Sequence, residues 1–185
     1  LLYLAERDSK RKPLFVDETT GEKWLKVSPV ALNEGERNFV KEIRRYYEAH
    51  RDDVFANREL YLLRNESKKG MGFFEANNFY PDFILWILEG EKQYLTFIDP
   101  KGIRNLKGMN DPKIQLYKYL QTEVAEQIAN PNLIMTSFIV SNTPMDQVEF
   151  WAQEHIAREE FAENHVLFDD GDGVYLERMM AMIWV

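Results

Sequence analysis

Apolar positions crowd into two runs near the middle of the chain. The first is Asn78-Phe79-Tyr80-Pro81-Asp82-Phe83-Ile84-Leu85-Trp86-Ile87-Leu88, and the second is Gln93-Tyr94-Leu95-Thr96-Phe97-Ile98-Asp99-Pro100-Lys101-Gly102. Between them stands the polar Glu89-Gly90-Glu91-Lys92. Two short oily runs around a glycine predict a hairpin with a two-residue loop at Gly90 and Glu91. That loop fixes the register: 89 faces 92, 88 faces 93, and by the same counting 82 faces 99. Opposed residues in an antiparallel pair share a face, so Asp82 and Asp99 fall side by side at the open end. Lys101 emerges on the same face, because strand side chains alternate. Both faces of the hairpin are apolar, which predicts helices covering both sides.

The flanking pattern fills in the rest. Asn33 is a helix N-cap with Glu36 three residues on, and Phe39, Val40, Ile43, Tyr46 and Tyr47 follow as an apolar stripe. Glu59-Leu60-Tyr61-Leu62-Leu63-Arg64 reads as a strand, followed by a Gly- and Lys-rich turn carrying Lys68 and Lys69. After the hairpin, Arg104 and Lys107 lie in a basic loop. Asp111-Pro112 opens a second helix, with Ile114, Tyr117, Leu120, Val124 and Ile128 along one side. Residues 133–140 form a buried strand. Residues 146–163 are expected as an amphipathic helix with Val148, Trp151, Ala152, His155 and Ile156 inward. Residues 166–168 and 174–176 are expected to pair as a hairpin around the acidic turn at 169–173, whose glycines do not fit a calcium loop. The order predicts a three-layer α/β domain, with a mixed central sheet and helices on both faces. Residues 1–33 read as a linker or small hairpin, 34–145 as the core, and 146–185 as a helix and strands that complete it.

Composition narrows the class. The 185 residues carry no cysteine, which excludes a disulfide framework or a thiolate metal site and fits a reducing, cytoplasmic setting. No stretch looks like a signal peptide or membrane span. The chain opens at Leu1 without methionine and is expected to be a fragment of a longer polypeptide. Its net charge of −8 argues against a general nucleic-acid binder, although the acidity is concentrated in the last forty residues.

Two carboxylates and a lysine at the rim of an oily sheet need a chemical reason. Neighbouring carboxylates repel, and stay ionised together only beside a cation; otherwise one takes up a proton. With neither cysteine nor histidine nearby, a hard divalent ion with oxygen ligands suits them better than zinc.

At these residues the chain resembles the PD-(D/E)xK nucleases. Pro81-Asp82, a spacer, then Asp99-Pro100-Lys101 matches that signature, and the surrounding wording (Gly72-Phe73-Phe74, Asn78-Phe79-Tyr80) is similar to the endonuclease domain at the end of type III restriction subunits and related helicase-nucleases. The resemblance implies a restriction-endonuclease-like core that hydrolyses DNA phosphodiesters with Mg²⁺, Mn²⁺ substituting. Asp82 and Asp99 would be metal ligands, the Pro100 carbonyl a further one, and Lys101 the catalytic cation. A glutamate on the first helix would lean toward the metal: Glu36, with Glu42 as rival, although Glu36 also serves as a cap partner. Gln115 and Tyr119 are similar to a Gln-x-x-x-Tyr of the RecB-like branch. With Lys68, Lys69, Arg104, Lys107 and Lys113, they are candidate DNA contacts; each is equally at home as solvated surface. Implied partners are DNA, an upstream helicase-type ATPase region of the same polypeptide, and a methyltransferase or specificity subunit. The competing reading keeps the fold as a non-catalytic DNA-binding or docking module.

Overall fold

A computed structural model of the chain describes residues 32–65, 70–74, 76–148 and 155–184. The expected N-terminal linker lies outside them up to residue 31, as do Lys68, Lys69, Trp151 and Ala152. Five strands form one mixed sheet in sequence order: β1 (Glu59–Arg64), β2 (Phe83–Glu89), β3 (Lys92–Lys101), β4 (Leu133–Ser141) and β5 (Val166–Phe168). The β1–β2 and β2–β3 pairs are antiparallel, while β3–β4 and β4–β5 are parallel. The central hairpin has the predicted register, with Glu89 opposite Lys92 and Phe83 opposite Ile98. Gly90 takes a φ of 59°, the left-handed conformation that a tight loop needs and glycine adopts without a Cβ clash.

Helices cover both faces. α1 (Glu34–Ala49) and α5 (Tyr175–Ile183) pack through Phe39, Ile43, Leu176 and Met179 onto the face bearing Phe83, Leu85, Ile87 and Ile98. The opposite face, with Ile84 and Phe97, is covered by Ile114, Leu116, Leu120 and Phe161. These belong to the β3–β4 crossover and to α4 (Arg158–Glu163). The result is a three-layer α/β core. Cover thins toward the β1 edge, where Tyr61 and Leu63 are nearly half exposed.

The crossover helix has a π-helical middle: α2 (Leu116–Tyr119), a π segment at Leu120–Val124, then α3 (Ala125–Ile128). The wider turn rotates every later side chain. Ile128, expected in the apolar stripe, is consequently 47% exposed.

The last forty residues depart from expectation. In place of one helix over 146–163 there is a 3₁₀ turn at Met145–Gln147 and the short α4. Residues 149–154 lie outside the description. His155 is exposed rather than inward, and Ile156 alone of that pair is buried. The expected hairpin over 166–176 is absent. β5 pairs in parallel with β4, and Tyr175 begins a helix. Leu176, Met179, Met180 and Ile183 are buried at helical spacing, a stripe that outweighs the short Val-Tyr-Leu run. Asp169 and Asp172 turn the chain by accepting backbone hydrogen bonds from Gly171 (2.9 Å) and Val174 (3.0 Å).

Two buried polar groups tie the layers together. His165 stacks on Tyr117 at 3.8 Å, near Phe138, and burial holds its pKa down to about 4. Glu42 accepts a 2.8 Å hydrogen bond from the Tyr175 hydroxyl, joining α1 to α5, and burial raises its pKa. Among the described residues no helix is long and apolar enough to cross a membrane.

The Glu42–Tyr175 bond yields a stability prediction. Tyr175→Phe leaves a buried carboxylate oxygen without its donor, at about 1–3 kcal/mol. Thermal unfolding should show Tm falling by several degrees; an unchanged Tm would mean that the bond does not help hold α5.

Candidate active site

The site exists because β3 outruns β2. Pairing between them ends at Phe83–Ile98, while β3 continues through Asp99, Pro100 and Lys101 with only β4 alongside. Pro100 therefore sits beyond the β2 ladder, where its missing N–H costs the sheet little. The overhang opens a polar cleft of about 550 Å³ at the carboxyl end of β3. Asp82, Asp99, Pro100, Lys101, Glu36 and Lys113 all line it.

Asp82 stands just before β2 and is fastened from behind. The Asn65 backbone N–H donates to the Asp82 carbonyl at 2.8 Å, and its amide donates to the Pro81 carbonyl at 2.8 Å. The Asp82 and Asp99 carboxyls line the same cleft. Burial, then the neighbouring Asp99 carboxyl, then Glu36, push the Asp82 pKa up to about 8, against the pull of Lys101. That upward shift favours a proton on Asp82, which would relieve the repulsion expected from the hairpin register.

Asp99 is only 4% exposed and pairs with the Lys101 ammonium. Its Oδ2 makes that ionic contact but accepts no properly directed hydrogen bond. The ammonium also lies 4.6 Å over the Phe79 ring, and Lys113 Nζ lies 5.4 Å over the same ring. Asp111 holds Lys113 in place by accepting from its backbone N–H at 2.9 Å.

Glu36 is the expected cap partner and also lines the cleft. Its N–H donates to Asn33 Oδ1 (2.9 Å) and its Oε2 accepts from the Asn33 N–H (3.0 Å), completing a capping box. It also faces the cleft, pairs with Arg64 at 3.3 Å and is felt by Asp82. The rival, Glu42, faces a separate cavity beside Asp172 and Glu177.

Other expected contacts stay apart from the cleft. Arg104 and Lys107 are exposed on the following loop and do not line it. Gln115 is tied to the Met109 carbonyl (2.7 Å) and Asn164 (3.3 Å), and Tyr119 packs against the second core cluster. In place of the Gln-x-x-x-Tyr pair, the cleft has Asn77, Asn78, Phe79 and Asn142. Asn142 follows β4 directly, and a polar residue ending an apolar parallel strand was the one signal that marked it.

Among the described residues no group of three or more His, Cys, Asp and Glu is arranged to hold a metal ion. The carboxylates act as a pair, with Glu36 already engaged by Asn33 and Arg64. No family model matches the chain, nor does any curated protein or solved structure.

The Asp82 proton makes stability depend on pH. Its folded pKa of about 8 lies above the ordinary 3.8, so between those values the folded protein holds a proton the unfolded chain has released. Stability from this group therefore falls as pH rises through that window. His165 works the opposite way, but only between about 4 and 6.5. Above pH 6.5 the metal-free protein should lose Tm as pH rises to 8, and Asp82→Asn should flatten the loss. About 1 kcal/mol of such dependence moves Tm by roughly 2–4 °C. Parallel Tm–pH curves for the two proteins would refute the raised pKa of Asp82.

Proposed function

We propose that this domain is a divalent-metal-dependent DNA endonuclease of the PD-(D/E)xK type. It would act in the cytoplasm as the cutting module of a type III restriction enzyme or a related helicase-nuclease. One observation carries the proposal: Asp82, Asp99, Lys101 and Glu36 meet in a single polar cleft at the mouth of the hairpin.

The donor set suits Mg²⁺, with Mn²⁺ as substitute. Every available ligand is an oxygen, and the buried Asp99 Oδ2 has no directed hydrogen bond to surrender. Mg²⁺ retains waters and needs few protein ligands, so an aspartate pair with the Pro100 carbonyl is a workable first shell. Glu36 would hold one of those waters rather than the ion. Bound there, the ion offsets phosphate charge and makes water more acidic. The chain supplies the rest. Lys101, seated between Asp99 and the Phe79 ring, is a fixed cation for the charge that develops on the phosphate. Lys113 holds a neighbouring phosphate on the same aromatic seat. The net charge of −8 gives little long-range pull on DNA, so an upstream helicase-type region would deliver the strand by tethering, and a specificity subunit would choose the sequence.

One observation favours the second reading, a docking module that keeps the fold without cutting: three carboxylates do not form a ready cluster. Calorimetry decides, since a docking module would bind no Mg²⁺ in the cleft.

Cleavage should require Mg²⁺ or Mn²⁺. Asp99→Ala and Lys101→Ala should each reduce it roughly 100-fold or more. Tm of Asp99→Ala should hold or rise, because the carboxylate repulsion is gone. Wild-type cleavage by Asp99→Ala at matched metal would defeat the assignment.

Glu36→Gln separates the two roles of that residue. Glutamine still completes a capping box, so the helix should stay intact. The Mg²⁺ concentration giving half-maximal cleavage should nevertheless rise severalfold. An unchanged Mg²⁺ titration would leave Glu36 as a cap partner only.

A further inference from the structure

Residues 73, 74 and 76–79 present side chains from a closed base, and the acidic pair does not account for them. Phe73 and Phe79 close that base with an antiparallel bridge, N–H to carbonyl at 2.8 and 3.1 Å. Phe73 packs edge-on to Phe97 at 4.8 Å, and Ala76 and Phe79 are buried. The entry is also locked: a Cβ on Gly72 would come within 2.4 Å of the Tyr80 ring. On this anchored base stands Phe74, 82% exposed, the most exposed large apolar side chain among the described residues. Asn77 and Asn78 follow with φ of 58° and 54°, two consecutive left-handed residues without glycine. Asparagine tolerates this left-handed backbone better than other residues with a Cβ, so the pair turns the chain tightly. Both asparagines are exposed and line the cleft.

We propose that these residues bind a nucleobase of a DNA strand at the edge of the cleft, with the Phe74 ring, outside the lining, stacked on a base and the Asn77 and Asn78 amides bonded to that nucleotide. The inference rests on the nuclease reading and narrows its substrate. An aromatic ring with amide donors and acceptors is the usual chemistry for an unstacked base. Two ammonium groups on the neighbouring Phe79 ring supply the phosphate contacts. A base inside a duplex has both faces covered, so the preferred strand carries an unpaired or unstacked base beside the cleft. Because the loop is already anchored, little ordering cost attends binding.

The test is anisotropy titration of the full chain in EDTA, which prevents cutting, against a single-stranded oligonucleotide and its matched duplex. The strand carries 2-aminopurine as a stacking reporter. Phe74→Ala should weaken single-strand binding about tenfold and abolish the fluorescence quench. Duplex binding should change less than about twofold, and Tm should hold, since the ring is exposed. Asn77→Gly with Asn78→Gly should also weaken single-strand binding while Tm holds or rises, because glycine accepts the left-handed backbone. If Phe74→Ala binds and quenches like wild type, the inference falls while cleavage by the wild type leaves the nuclease reading standing. If it weakens strand and duplex equally, the preference for an unstacked base is wrong. If the wild type does not bind the strand, the inference falls; the nuclease reading falls with it only if Mg²⁺-dependent cleavage is also absent with DNA at roughly millimolar concentration, the level tethering would supply.

Discussion

Two carboxylates held side by side where an apolar hairpin opens repel each other, and much of the site's construction answers that repulsion. Asp82 and Asp99 cannot separate, because each is attached to a strand end whose register is fixed by seven paired positions behind it. The Lys101 ammonium on Asp99 offsets part of the charge, and the raised pKa of Asp82 favours a proton there. On the proposed reading, a hard cation would take the place of the Asp82 proton while Lys101 keeps its seat beside Asp99.

The scaffold delivers this geometry by simple means. Gly90 closes the hairpin in a two-residue loop and so determines which acids meet. The mismatch in length between β2 and β3 leaves three residues of β3 free of a β2 partner, and they become a wall of the cleft. The parallel strand β4 supports that wall from the other side and contributes Asn142 at its end. The capping box at the start of α1 places Glu36 at the same opening, so one residue both starts a helix and adds charge to the site. Phe79 gathers two ammonium groups onto one ring, where attraction to the π face offsets their mutual repulsion.

The sequence was most legible where local rules were sufficient. The hairpin, its register and the Asp82–Asp99 meeting follow from a two-residue turn and a period of two, and the Asn33 cap follows from residue type and spacing. Long-range placement was harder to read. Gln115 and Tyr119 have the right spacing on a helix, but the helix packs so that Gln115 is used by Met109 and Asn164. Asn65 fastens Asp82 from 17 residues away, which spacing alone cannot reveal. Asn77 and Asn78 depend on backbone conformations that leave no periodic trace. At the C-terminus the misreading was one of period: a three-residue apolar run was weighed as a strand, whereas Leu176, Met179, Met180 and Ile183 spelled a helix over a longer window.

If a cation displaces the Asp82 proton, metal binding and proton release must be linked. Calorimetric titration of Mn²⁺ at pH 7, repeated in buffers of different ionisation enthalpy, counts the protons released. The account predicts about one proton per ion bound to the wild-type protein, with release lost in Asp82→Asn. Absence of binding, or binding without proton release and unaffected by Asp82→Asn, would contradict it.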